Sequence, residues 1–181
     1  SVEEVERVLN AIGNIKHKAI ISLIYSGGLR IGEAVNIKVA DIDSQRGLIY
    51  IHGAKGNKDR IVTLSVTLLE ILRKYFRSCR PDHFLFSGQG GKPYSASSIR
   101  SIFKEACIKA GIRKRVRVHT LRHSFATHLL KDGVNIREVA RAQRERDQAE
   151  YQDDDQGGKV QLFSEGIEQQ QYREQQELFC L

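Results

Sequence analysis

The sequence predicts a mainly α-helical fold with one small antiparallel β-sheet. Apolar residues recur at helical spacing on both sides of a central region that is rich in β-branched residues. In that central region two apolar runs flank HGAKGNKD, whose glycines and asparagine are typical of a hairpin connection. Of the 181 residues, 40% are hydrophobic, so the chain can bury a core of ordinary size.

Helices are predicted before the sheet. The first is SVEEVERVLNAI, whose apolar positions at helical spacing are Val2, Val5, Leu9 and Ile12. A second, buried helix covers 17–25 and is stopped by Gly27 and Gly28. A short helical turn follows in LRIGEAVNIKVADID, and it leads into a loop through two aspartates. Its expected core positions are Leu29, Ile31, Val35 and Ile37.

Two strands and further helices complete the prediction. The strands cover 48–51 and 60–64, and the hairpin between them has a basic tip. Helices are expected at 65–77, 96–110 and 120–130, and Asn135 is expected to cap one more. FLFSGQGGKPYS is predicted to be a loop between the first two of these helices.

Charge is distributed unevenly along the chain. Residues 1–140 contain 24 Lys and Arg against 12 Asp and Glu, whereas residues 141–181 contain 5 against 10 and ten of the 12 glutamines. We therefore predict a basic domain over 1–140 and an acidic, Gln-rich tail over 141–181, which is an arm or disordered. A basic body favours a polyanionic partner, because each cation that neutralises a phosphate releases counterions. The alternative is a solvated basic surface without a function.

Composition argues against several classes of protein. The longest apolar run, AIISLIY, is too short to cross a bilayer, and no basic stretch leads into an apolar one at the N-terminus. The three cysteines are scattered without a C-x-x-C pair, so neither a disulfide framework nor a zinc site is indicated. We therefore expect an intracellular, cytoplasmic protein that does not bind a membrane.

Arginine, lysine and histidine side chains are candidates for phosphodiester chemistry, which needs cations at the nonbridging oxygens. Arg30 follows the glycine pair at a helix start, and Arg122 lies three residues after His119 on one helical face. Lys55, at the hairpin tip, is a candidate proton donor, and His119 is a candidate acid or base. For each residue alone, a surface ion pair or a solvated side chain is the alternative. His119 and His123 also share a face, but no Glu or Cys completes a zinc site, so we expect no metal.

Four segments carry a more specific pattern when they are taken in order. They are SGGLRIGEAVNIKVADID, IHGAKGNKDRIVTL, FLFSGQGGKPYSASSIRSIFKEACIKAGI and VRVHTLRHSFATHLLKDGVNIREVA. A lone H-x-x-R is a weak signal, but here it follows G-L-R-x-x-E and a G-x-K-G-N-K hairpin. Together the segments resemble the catalytic domain of tyrosine recombinases, the Xer and phage integrase family. The first residues resemble the first helix of that domain.

This resemblance implies a role for each matching residue. Arg30 resembles the first catalytic arginine, with Glu33 as its supporting carboxylate, and Lys55 resembles the hairpin lysine that protonates the 5′ oxygen. His119 and Arg122 resemble the H-x-x-R pair, which assists proton transfer and grips the scissile phosphate. Other matching residues are expected to support the site (His123), to pack (His128) or to contact DNA (Lys58 and Arg60).

The resemblance also implies a reaction and partners. In the family, a tyrosine attacks double-stranded DNA to form a 3′-phosphotyrosyl link, without a metal or nucleotide cofactor. Strand exchange then passes through a Holliday junction, usually in a tetramer. The implied function is therefore site-specific recombination or integration of DNA.

The C-terminal part departs from the family pattern. Aligned on Ile136 and Arg137, the place of the nucleophilic tyrosine falls on Asp154, and the positions of the L-L-G-H motif hold AQRE. Tyr151, three residues short of that place, is the candidate nucleophile, and Tyr172 lies much farther on. The prediction therefore stays open between a recombinase and an impaired remnant that binds DNA without cleaving it. A different phosphoryl-transfer or RNA-binding protein is a third, weaker alternative.

Overall fold

The computed structural model describes residues 1–54 and 58–131 of the chain. Within these ranges the fold is mainly α-helical with a small three-stranded antiparallel sheet, so the predicted fold class is confirmed. The helices are α1 (Val2–Asn10), α2 (Ile15–Ser26), α3 (Ile31–Asn36), α4 (Val66–Cys79), α5 (Ala96–Lys109) and α6 (Val118–Lys131). The strands are β1 (Ile42–Asp43), β2 (Leu48–Ala54) and β3 (Lys58–Thr63).

Helix α2 is the centre of the helical core. Its stretch AIISLI, residues 19–24, is buried, as expected for a helix that is apolar on every face. The helices α1, α3, α4, α5 and α6 all contact it. The side chain of Asn14 caps its first turn by accepting a hydrogen bond from the backbone N–H of His17. Helix α2 ends before Gly27, which confirms the predicted glycine stop.

The predicted core positions of the first three helices are confirmed only in part. The buried ones are Val5, Ile12, Leu29 and Ile37, and the partly buried ones are Leu9, Ile31 and Val35. Val2 is 41% exposed, because it stands in the first turn of α1, at the outer end of the apolar stripe. Val8 and Ala34 are buried although the pattern did not single them out.

The sheet has the strand order β1-β2-β3, with both pairs antiparallel. Ile49 and Ile51 of β2 are buried and alternate with partly exposed neighbours, as expected for a sheet with one face on the core. Ile49 pairs with Val62 and Ile51 pairs with Arg60. The sequence predicts no strand at Ile42–Asp43, where the chain is expected to lead into a loop, because a two-residue strand is too short to show an alternating pattern.

The predicted helices after the sheet are confirmed, with ends within two residues of the prediction. The hydroxyl of Ser65 caps α4 by accepting a hydrogen bond from the Leu68 N–H. The buried face of α5 consists of Ile99, Phe103, Ala106 and Cys107. The helix predicted after Asn135 lies outside the described residues. Among the helices of 1–54 and 58–131, none has the length and apolar character that crossing a membrane requires.

Candidate active site

The turn after α2 brings helix α6 close to the start of α3. Gly28 has φ +56°, a backbone conformation that glycine adopts easily and other residues rarely do. A Cβ atom at Gly28 would lie only 2.9 Å from Cδ1 of Phe125 on α6. This close approach lets the Gly28 carbonyl accept a hydrogen bond from Nη1 of Arg122. The glycine pair therefore ends α2 and also sets the distance between α2 and α6.

Arg30 and Glu33 form one unit at the start of α3. Arg30 is the residue just before the first helical turn, and Glu33 lies in that turn. One oxygen of Glu33, Oε2, accepts a hydrogen bond from the Arg30 backbone N–H at 2.7 Å, and Oε1 accepts one from Arg30 Nη1 at 2.8 Å. The glutamate thus holds both the backbone and the guanidinium of Arg30. Only 7% of its side chain is exposed.

Glu33 also contacts arginines from two other elements. Arg60 of β3 donates from Nη2 to Glu33 Oε2 at 2.7 Å, and Arg122 Nη1 of α6 lies 3.9 Å from the same oxygen. The three guanidinium side chains are 31–40% exposed, whereas the carboxylate between them is buried. We call Arg30, Glu33, Arg60 and Arg122 the arginine cluster. It combines three positive charges with one negative charge.

The pKa shifts of Glu33 and Arg122 reflect the excess of positive over negative charge in the arginine cluster. Burial raises the pKa of the Glu33 carboxyl, but hydrogen bonds from the Arg30 backbone and the Arg60 side chain outweigh it and lower the pKa below its ordinary value. Burial and the positive charges of Arg30 and Arg60 lower the pKa of the Arg122 guanidinium. The buried Nε of Arg60 has no hydrogen-bond partner among the described residues. A bound anion would relieve the repulsion among these cations.

The histidines of α6 occupy two different environments. His119 and His123 are exposed, one turn apart, with their rings in an edge-to-face arrangement at 5.0 Å between centroids. His128 is buried, and its Nδ1 lies 2.7 Å from the hydroxyl of Tyr25 on α2. Within residues 1–54 and 58–131, no group of three or more His, Cys, Asp and Glu side chains is arranged to hold a metal ion.

A cleft of about 660 Å³ opens beside Arg30, between α3 and β2. His52, at its rim, has ring nitrogens 3.4 Å from Asp41 Oδ1 and 3.1 Å from Asp59 Oδ2. Asp59 Oδ1 also accepts a hydrogen bond from the Gly53 N–H at 2.9 Å. Through His52, the base of the hairpin thus contacts Asp41, which lies just before β1.

The structure brings some predicted residues together and leaves others outside its described ranges. Arg30, Glu33 and Arg122 meet in the arginine cluster, together with Arg60, which the sequence suggested only as a DNA contact on the hairpin. No local pattern connects Arg60 with Glu33, because the two lie 27 residues apart. The backbone of Lys58 pairs with Ala54 at the start of β3. The described ranges do not include Lys55, Tyr151 or Tyr172.

The model of one protein family matches most of this chain. The model described as "Phage integrase family" matches residues 1–143 of the chain. The chain belongs to the phage integrase family. The predicted resemblance to this family is therefore confirmed.

Proteins named as integrases or recombinases resemble this chain over about three quarters of its length. Putative integrase/recombinase y4eF of Sinorhizobium fredii is 42% identical over 144 residues, which are 77% of this chain and 56% of the relative. The crystal structure of XerA recombinase matches with a TM-score of 0.70 and 33% identity, covering 76% of this chain and 51% of that chain. The chain thus spans about half the length of the relatives it matches.

A further solved structure that resembles this chain is a complex with its substrate. XerH site-specific recombinase, bound to palindromic difH substrate in a post-cleavage complex, matches with a TM-score of 0.63 and 27% identity. The match covers 72% of this chain and 41% of that chain. With XerA, it shows that the fold is the catalytic fold of tyrosine recombinases.

Proposed function

We propose that this chain binds double-stranded DNA and breaks and rejoins it as a site-specific recombinase or integrase. The observation that carries the proposal is the convergence of Arg30, Arg60 and Arg122 on the buried carboxylate of Glu33. The XerH relative bound to its difH substrate supports DNA as the ligand.

The arginine cluster suits a phosphodiester for three reasons. Its guanidinium groups are partly exposed, so a nonbridging phosphate oxygen can approach them from solvent. Their orientation is held by Glu33 and by the Gly28 carbonyl before any ligand arrives. Such preorganised donors stabilise the negative charge that grows on the phosphate in the transition state. Arg30 and Arg122 would grip the scissile phosphate, and Glu33 would support them.

In the proposed reaction, Tyr151 supplies the nucleophile. Its oxygen forms a bond to phosphorus, the bond to the 5′ oxygen breaks, and a 3′-phosphotyrosyl link results. Lys55 donates the proton that the 5′ oxygen takes, and His119 assists proton transfer with support from His123. The attack of the freed 5′ hydroxyl on the link rejoins the strand. The scheme uses no metal and no nucleotide cofactor.

The proposal extends to domains and assembly. We infer a catalytic domain over 1–140 and an appended acidic, Gln-rich tail over 141–181. Lys58 and Arg60 contribute to the DNA contact from the hairpin, and Arg60 does so as part of the arginine cluster. We further propose that the protein acts in the cytoplasm and that several copies, a tetramer by family, assemble on two duplexes.

A nicked duplex that traps the covalent intermediate tests the reaction. We expect the full chain to form a protein–DNA adduct that survives denaturation with detergent. The adduct should be lost in Tyr151→Phe and fall at least about a hundredfold in Arg30→Ala, since transition-state contacts to the phosphate are removed. Arg77→Ala, at an exposed position on α4, is the matched control and should leave adduct formation unchanged.

The alternative is a remnant that binds DNA without cleaving it. One observation favours the remnant. Asp154, in an acidic run, occupies the position expected for the nucleophile. Salt-sensitive DNA binding without any adduct would support the remnant and contradict the recombinase. An adduct that persists in Tyr151→Phe and disappears in Tyr172→Phe would assign the nucleophile to Tyr172.

A further inference from the structure

We propose that the segment between α5 and α6 carries a second phosphate-binding surface, formed by Arg113, Arg115 and Arg117. We call these residues the linker arginines. The inference rests on the proposed function, because the ligand is the sugar–phosphate backbone of the same duplex. It adds a surface outside the arginine cluster that holds DNA next to the site of cleavage.

The linker begins at a well-defined helix end. Gly111 has φ +69°, and its N–H donates to the Ile108 carbonyl at 3.0 Å. The N–H of Ile112 donates to the Cys107 carbonyl at 2.9 Å. This pair of bonds is the Schellman arrangement, which satisfies the last carbonyls of α5 and fixes the direction in which the chain leaves it.

The linker is also fixed where it enters α6. The backbone N–H of Arg117 donates to Oγ1 of Thr120 at 3.1 Å, and the Thr120 N–H donates to the Arg117 carbonyl at 2.8 Å. Arg117 is thus held immediately before α6, which begins at Val118. Both ends of the linker are therefore tied to rigid helices.

Between these ends, Lys114 and Val116 contact the rest of the protein. Lys114 binds Glu4 of α1, with 2.6 Å between Nζ and Oε2, and Val116 packs against the core. The linker arginines, at the odd positions, are all exposed. None of them forms an ion pair with a residue in the described part of the chain. The linker thus leaves three guanidinium groups exposed to solvent, while Lys114 and Val116 hold the segment to the protein.

The spacing of the linker arginines fits a polyanion with regularly spaced charges. Arg113 and Arg117 lie four residues apart on a chain that bends at Lys114, so the three arginines span less than the roughly 13 Å that a fully extended strand of this length would cover. Each strand of a duplex places one phosphate per 3.4 Å or so of helix axis, so each arginine can reach a different phosphate. Three unpaired like charges held this close together also favour a ligand that neutralises them.

The linker arginines lie directly before the candidate catalytic helix. Arg117 precedes His119 by two residues and Arg122 by five, and α6 is continuous through these positions. Because Arg122 belongs to the arginine cluster, the helix that the linker arginines precede is itself part of the candidate site. The two basic surfaces can therefore hold neighbouring phosphates of one duplex.

Equilibrium binding of the full chain to an intact 30-base-pair duplex tests the inference without any cleavage. Fluorescence anisotropy across a series of KCl concentrations gives the slope of log affinity against log salt. Replacing all three linker arginines by Gln should lower the magnitude of this slope by about 2 to 3, because each lost phosphate contact accounts for about 0.9. At 0.15 M salt, affinity should fall roughly a hundredfold. Replacement by Lys should restore most of the slope.

The matched control removes three charges elsewhere. Lys74, Arg77 and Arg80 are exposed at the end of α4, and their Gln variants should bind DNA like the wild type. Equal losses in both triple variants would overturn the inference, since total charge would then set the affinity. If the linker variant bound DNA like the wild type while Arg30→Ala lost affinity for DNA, the inference would be overturned. The proposed function would then still stand. Absence of any binding by the wild type would overturn both.

Discussion

At the scale of single residues, the buried carboxylate of Glu33 organises the candidate site. It orients Arg30 through two hydrogen bonds and Arg60 through one, and it lies 3.9 Å from Arg122. The single negative charge of Glu33 holds the three guanidinium groups near one another. It does not neutralise their three positive charges. The residue therefore stabilises the fold and leaves the site electropositive.

Replacing Glu33 by Gln should lower the free energy of unfolding at pH 7 by about 2 kcal/mol, because charge-assisted hydrogen bonds weaken and the arginines repel one another. Urea unfolding measures this difference. Glu105→Gln is the control, since Glu105 forms an exposed pair with Lys109 and its loss should leave the free energy of unfolding nearly unchanged.

The contribution of Glu33 should also depend on pH. Its pKa is lower in the folded protein than the ordinary value of 4.5, so the stabilisation is fully present above that value. It is lost as the pH falls through the lowered pKa of the folded state. The stability difference between wild type and Glu33→Gln should therefore be constant from pH 7 to 5.5 and shrink below 4.5. A difference that stays constant down to pH 3 would contradict this account.

At the scale of elements, the docking of α6 onto the end of α2 positions Arg122. Three contacts lie along one side of α6: the Arg122 guanidinium on the Gly28 carbonyl, the Phe125 ring beside Gly28, and His128 on the Tyr25 hydroxyl. The rings of Tyr25 and Phe125 also meet edge to face, with centroids 6.3 Å apart. Helix α6 can approach this closely only because residue 28 has no side chain.

Gly28→Ala should therefore destabilise the protein by about 2 kcal/mol, since the new methyl group strains the backbone and meets the Phe125 ring. Thermal unfolding measures the loss, and the trapped-adduct assay should show a slower reaction because Arg122 shifts. Gly32 offers a matched control inside α3, where a Cβ meets nothing within 4 Å. Gly32→Ala should be neutral or stabilising by up to about 1 kcal/mol. Equal effects of the two substitutions would refute the role assigned to Gly28.

At the scale of the whole molecule, α2 contacts each of the other five α-helices of the described ranges. Its residues 19–24 are buried, and α1, α3, α4, α5 and α6 contact it. The arginine cluster depends on it indirectly, because α3 follows its C-terminal turn and α6 docks onto that turn. Loosening α2 should therefore weaken the fold and the site together.

Ile20→Ala should lower the free energy of unfolding by about 3 kcal/mol, because a buried side chain is replaced by a cavity. Far-ultraviolet circular dichroism and tyrosine fluorescence should report the same lowered midpoint, since the helices share one core. Ile108→Ala on α5 is the control, because that side chain is 69% exposed and should contribute little. Two separate transitions in Ile20→Ala would show that the helices do not unfold as one unit.

Local patterns accounted for much of the fold and for part of the site. Apolar periodicity and capping residues predicted α2, α4, α5 and α6 within two residues, and β-branched, apolar runs on either side of a hairpin connection predicted the two long strands. The two-residue β1 and the exposure of Val2 could not be predicted, because neither has a pattern of its own. Arg30, Glu33 and Arg122 were identified because they stand in short motifs.

The sequence by itself determined the family, the order of helices and strands, and which side chains are candidates for phosphate chemistry, because these follow from local spacing and from motifs. Only the tertiary structure decided that Arg60 joins Glu33 and that the Gly28 carbonyl holds Arg122. It also decided that the linker arginines are exposed, while Lys114 binds Glu4 and Val116 packs against the core. The physical reason is that such contacts join residues distant in sequence, and they depend on which helix faces pack together.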